Sequence, residues 1–162
     1  MKYIKKVLNH IFVDGLSGMA IGLFATLIIG TIVEQIGTLI GGTVGSYLVA
    51  ITAVVKSITG AGIGVGVACK FKAAPLVTIS AAGAGMVGAF ASKIIAGTLI
   101  DAGVVAYKGP GEPLGAFIAA LVAIELGTLI SGKTKLDIIL TPAFSILTGS
   151  TVGLLLGPPI SR

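Results

Sequence analysis

The sequence predicts an all-α integral membrane protein, a polytopic helical bundle of about five spans with a re-entrant or broken segment and an N-terminal amphipathic helix. Three observations predict it. Of 162 residues, 55% are hydrophobic and only 10% charged, whereas a soluble domain carries about 25% charged residues. A chain this short has a large relative surface, and eleven basic and six acidic side chains cannot cover it with water-facing groups. Uncharged runs at residues 15–33, 35–55 and 73–92 each approach the roughly 20 residues a helix needs to cross a hydrocarbon core about 30 Å thick. The mean hydropathy of +1.10 agrees. The 25 glycines do not oppose helix in lipid, where the backbone must satisfy its own hydrogen bonds and small residues let helices approach closely. The alternation of an outer-membrane barrel is missing.

Residues 1–14 place Lys2, Lys5, Lys6 and His10 beside Ile4, Val7, Leu8, Ile11 and Phe12. That spacing predicts an amphipathic helix on the cytoplasmic membrane surface. A cleaved signal peptide is the competing reading, but Asp14 interrupts the transition and the following run is long enough to span. The membrane domain then occupies residues 15–162. Its first span runs from about Leu16 to Val33 and stops at Glu34. The second runs from about Gly37 to Val55 and stops at Lys56. Residues 57–69 are too short to cross, and Gly60, Gly62, Gly64 and Gly66 weaken a straight helix, so this segment is expected to be re-entrant or broken. A third span follows from Ala73 to about Ile100. The linker at residues 107–113 is the clearest break. Leu114 to Ser131 and Ile138 to Leu156 complete the set, the last bent at Pro142 and stopped by Pro158 and Pro159.

With a cytoplasmic N-terminus, Lys2, Lys5, Lys6, Lys56, Lys70, Lys72, Lys133 and Lys135 all fall inside, while Glu34, Asp101 and Glu112 fall outside. The positive-inside rule is met. Five crossings put the C-terminus outside, and a unit with an odd number of crossings is what inverted-repeat transporters duplicate. The domain is therefore expected to be one half of a longer inverted-repeat transporter.

Five residues are candidates for solute binding: Glu125, Glu34, Lys56, Glu112 and Asp137. Glu125 leads, because a carboxylate some 12 residues into a span is costly unless it faces protein or water. Its alternative role is a structural ion pair, with Lys56 as a possible partner. Glu34 and Lys56 sit at span ends, where they could simply reach the interface. Glu112 lies in a Pro-Gly-Glu-Pro turn that also reads as a plain helix start. Asp137 follows Gly132-Lys133-Thr134-Lys135, which lacks the upstream glycine of a phosphate-binding loop. The Gly83, Gly85, Gly88 cluster has dinucleotide spacing, but its uncharged surroundings favour close helix packing. Gly149, Gly153 and Gly157 form a small-residue face for a helix neighbour or a homodimer seam. The single cysteine, Cys69, reads as a small core residue. No metal or cofactor pattern is present in the sequence, and nothing suggests a nucleic-acid partner.

The stretch from Ala123 through Glu125 and Asp137 to Pro142, the turn at residues 109–113, and the opening Gly-Met-Ala-Ile-Gly-Leu-Phe-Ala-Thr-Leu-Ile-Ile-Gly-Thr-Ile resemble the EIIC-type membrane subunits of the bacterial sugar phosphotransferase system. The branch in question includes EIIC-like regulator proteins. The resemblance implies the N-terminal half of a protein about twice as long, a multi-pass location in the bacterial inner membrane, and transport of a small polar solute such as a sugar. It also implies cytoplasmic phosphotransferase subunits as partners, since phosphate would come from them rather than from catalysis by this chain alone. A membrane sensor or regulator, or a structural helix bundle without transport, is the alternative.

Overall fold

The computed structural model describes residues 2–160. The first element, α1, is one continuous helix of 39 residues from Lys2 to Ile40. Two π-helical stretches interrupt its regular winding, at Asn9–Gly15 and Phe24–Ile28. The surface arm and the first span therefore share one helix, with no break near Asp14. The helix also runs past Glu34, where a stop was expected. It ends instead at Gly41 and Gly42, whose φ angles of 64° and 60° suit glycine and few other residues. A charged side chain that finds a partner need not end a helix; a backbone that must leave helical space does.

The chain then folds back as α2, Gly42–Ser57, and turns by 55° into α3, Thr59–Lys70. The break is at Ile58, which leaves the helical region (φ −94°, ψ 16°). The break expected in residues 57–69 thus falls at Ile58, and from there to Lys70 α3 is regular helix despite its glycines. The glycines serve two faces. Gly60 and Gly64 meet the backbone of the next helix at Gly85 and Ala81, and Gly62 and Gly66 meet α1 at Gly22, Thr26 and Gly18. A Cβ at Gly60 would lie 2.7 Å from the Gly85 carbonyl oxygen. The alternate glycines thus mark a helix gripped on both sides, with close approach outweighing the low helix propensity.

After the turn at Phe71 come α4, Pro75–Ala89, and a short α5, Ala91–Ile95. A two-stranded antiparallel hairpin follows, β1 (Ile100–Asp101) and β2 (Val104–Val105). The apolar region expected as one span to Ile100 is therefore a shorter helix capped by irregular chain. The last helices are α6, Pro113–Ile130, and α7, Asp137–Ile160. Pro113 occupies the first turn of α6, as the turn chemistry predicted. Pro158 and Pro159 do not stop α7, which continues to Ile160. Proline fixes a φ compatible with helix, so the last turn keeps its winding although each ring removes a backbone donor there.

Helices α3, α4, α6 and α7 form a bundle whose core includes Ile63, Val67, Val77, Phe90, Phe117 and Ile124. The buried residues of α7 fall at every fourth position: Thr141, Ser145, Gly149, Gly153 and Gly157. Gly149 and Gly153 press on Ala119 and Ala123 of α6, so this glycine face is a seam within the chain. By length and composition, α1, α6 and α7 can each cross a membrane, and the bent α2–α3 pair is a fourth candidate. Many large apolar side chains point outward, Leu39 being 87% exposed and Ile138 73%. Lipid is the solvent that makes such a surface stable. Cys69 is exposed and not in the core, because α3 turns Ile63 and Val67 inward instead.

Candidate functional site

The five candidate residues are not brought together; they fall into four places. Glu125 lies on α6, five residues before its end at Ile130, which is about 7.5 Å along the axis. It is thus nearer one end of the helix than the mid-depth expected. That end also holds the turns bearing Lys70, Lys72, Lys133 and Lys135, and the first residues of α1. The packing shows this directly: His10 reaches Glu125 and stacks on Phe71, and Gly127 faces Val77.

The partner of Glu125 is His10, not Lys56. His10 Nε2 lies 3.2 Å from Glu125 Oε1, and Nδ1 lies 3.7 Å from Asp14 Oδ2. The imidazole also stacks on Phe71 with ring centroids 3.8 Å apart. Asp14 and His10 are one turn apart on α1, and Phe71 follows the last residue of α3, so three elements converge on one ring. Glu125 remains about half exposed and opens onto a cavity of about 490 Å³ lined by Tyr3, Lys6, Val7, His10, Ile11 and Glu125. The i, i+4 spacing of His10 and Asp14 was visible in the sequence; the contribution of Tyr3, Lys6 and His10 to the surroundings of Glu125 was not.

Glu34 and Lys56 form a separate pair across the α1–α2 hairpin, with Lys56 Nζ 2.5 Å from Glu34 Oε2. Both side chains are largely covered, and the Lys56 stem lies over Gly30, where a Cβ would meet its Cγ at 2.8 Å. The expectation that placed these residues on opposite membrane faces is not met. The turn is at Gly41 rather than at Glu34, so Lys56 reaches back along its own hairpin. This pair stands two residues from the helix break at Ile58.

Glu112 immediately precedes α6, and its side chain turns away from the helix start toward Ser92. Its Oε1 accepts a hydrogen bond from Ser92 Oγ at 2.7 Å, and its backbone N–H donates to Ala89 O at 2.7 Å. Its Oε2 is buried and unpartnered. Asp137 starts α7, its Oδ1 accepting from the Gly132 N–H at 2.9 Å and from Thr141 Oγ1 at 2.5 Å. These bonds tie the α6–α7 turn and explain the acid at that position as a helix start. Among the described residues no cluster of His, Cys, Asp or Glu is suited to a metal ion.

Long apolar helices and a broken helix pair define an all-α membrane protein, with a cavity at the basic end lined in part by Lys6, His10 and Glu125. The family model for the EIIC component of the phosphotransferase system matches residues 13–162. The chain belongs to that family. No curated protein and no solved structure matches it. The match begins at Val13, so Tyr3, Lys6 and His10 lie outside the matched region while Glu125 lies inside it.

Proposed function

We propose that the chain is a membrane transport unit for a sugar or a similarly hydroxylated solute, working by alternating access in the bacterial inner membrane. Family membership supports the transport role. The observation that carries the site is the cavity at Glu125. There a carboxylate on a spanning helix meets His10 through one oxygen, leaving Oε2 to accept hydrogen bonds from solute hydroxyls. Tyr3 and Lys6 supply donors on the opposite wall. A polyol needs acceptors and donors together, and this cavity offers both. In this reading Glu34 and Lys56 stabilise the hairpin, while Glu112 and Asp137 fix the starts of α6 and α7.

The proposed topology has five passes: α1, the α2–α3 pair, α4, α6 and α7. The end bearing Lys70, Lys72, Lys133 and Lys135 is cytoplasmic by the positive-inside rule. The cavity then opens toward the compartment that holds the phosphate-donating subunits. The helix break at Ile58, beside the Glu34–Lys56 pair, is the kind of discontinuity that transporters use near their moving parts.

The test is uptake of a panel of radiolabelled hexoses and pentoses by reconstituted protein, with Glu125→Gln and Glu125→Leu beside the native chain. Losing a hydrogen bond to a charged group costs about 1.5–3 kcal/mol, so at least one solute should bind roughly tenfold more weakly to either variant. Unchanged binding and uptake in both variants would remove Glu125 from the solute site. No uptake of any solute by well-folded protein would favour the regulator reading.

A further inference from the structure

An open groove of about 600 Å³ runs along the outside of the molecule between α1 and α3. Its floor is backbone, because Gly22 of α1 and Gly62 of α3 approach until no side chain fits between them. Ile21 and Val65 rise on either side, 53% and 39% exposed. The crevice follows α3 from Ile58 to Lys70, about 18 Å of helix. Among the described residues the only charged side chain lining it is Lys70, at the basic end of the bundle. Lys70 and Lys72 are both exposed, and among the described residues neither makes an ion pair.

We infer that this groove is a binding site for one acyl chain of an anionic phospholipid, whose headgroup phosphate is held by Lys70. The crevice is long and narrow, formed between two helices already in backbone contact. It is apolar along its length and cationic at one end. That order matches a lipid of the cytoplasmic leaflet, with its chain directed into the membrane and its phosphate at the interface. A bound chain would cover Gly22 and Gly62, where α1 grips α3 close to the helix break, and so would bear on the segment that joins the α1–α2 hairpin to the bundle.

Cys69 gives a direct reporter, since it lines the groove and is the only cysteine in the chain. The measurement is the rate of maleimide labelling of Cys69 in the full chain in mild detergent. Phosphatidylglycerol and phosphatidylcholine of identical acyl chains are added in parallel. Phosphatidylglycerol should slow labelling about fivefold more than phosphatidylcholine, the discrimination expected from roughly 1 kcal/mol per lysine near an anionic headgroup. Lys70→Gln should abolish that difference. Val65→Phe, which fills the crevice from an exposed position, should leave labelling insensitive to either lipid. Equal slowing by both lipids, or a phosphatidylglycerol effect that survives Lys70→Gln, would overturn the assignment. Slowing that tracks protein concentration and not lipid would give the groove to a second copy of the chain, and overturn it equally.

Discussion

The bundle of α3, α4, α6 and α7 is held by close packing alone, whereas the α1–α2 hairpin adds an ion pair to it. In the bundle the buried positions are mostly Gly and Ala, joined by Ile63, Val67, Phe90 and Ile124, and among the described residues no charged side chain is buried in the core. Helices there touch backbone to backbone, as at Gly64 against Ala81 and Gly88 against Gly115. In the hairpin, from Ile29 to Ile40 of α1 and along α2, the buried residues are Gly30, Gly37, Gly45 and Thr52. Apolar residues such as Leu39, Tyr47 and Val54 point outward, and an ion pair joins the two arms. Lipid is as apolar as leucine, so association must come from close packing or from polar groups that lipid cannot satisfy. The bundle uses the first; the hairpin uses it at Gly37 and Gly45, whose backbones touch, and adds the second at Glu34 and Lys56.

The largest effect that can break this comparison is expected at the ion pair. Glu34→Gln leaves Lys56 uncompensated within the membrane and should destabilise the hairpin by about 3 kcal/mol or more. The double variant Glu34→Gln with Lys56→Met should recover most of that loss, because neither charge then remains. Thermal unfolding in detergent reads both. A double variant no better than the single would show that the charges act independently and that the hairpin is held by something else.

Gly64→Val tests the bundle in the same assay. Its Cβ would overlap the Ala81 carbonyl oxygen, a backbone atom that cannot step aside, and overpacking of this kind costs about 1–3 kcal/mol. Val65→Ala, one residue along on the exposed side of the same helix, is the control and should stay within about 0.5 kcal/mol. Equal stability of the two variants would mean that α3 is not gripped as described.

The smallest effect is expected at His10. Its contact with Glu125 joins two side chains that are about 41% and 51% exposed, and contacts of this exposure contribute about 0–1 kcal/mol. His10→Ala should therefore leave unfolding almost unchanged while weakening solute binding. A large loss of stability would make the His10 contact a structural tie and not part of a solute cavity.

The same contrast explains how much could be read from the sequence. Helix-rich membrane architecture followed from the uncharged runs, and the α6 start followed from Pro113. The α7 seam followed from Gly149, Gly153 and Gly157, since four-residue spacing of small residues has few other uses. Helix ends inferred from charge were less secure. Glu34 was taken for a stop, yet a carboxylate with a lysine partner continues a helix, and that partner depends on where Gly41 turns the chain. The glycines of α3 were weighed by a propensity measured in water, whereas between two helices they permit contact. The site was the least legible. Glu125 stood out as a charge within an apolar run, but His10 and Phe71 reach it only through the packing of α1 and α3 against α6. Nothing local in sequence announces such a meeting.

The central proposal is that Glu125 faces a solute cavity reached from the cytoplasmic side. It is tested most directly by Glu125→Cys in a Cys69→Ser background, treated with a membrane-impermeant thiol reagent in inside-out and right-side-out vesicles. Glu112→Cys serves as the opposite-face reference. The account predicts that position 125 is labelled in inside-out vesicles only, and that added solute slows the reaction. Labelling of position 125 only in right-side-out vesicles, or none in either orientation while position 112 reacts, would contradict it.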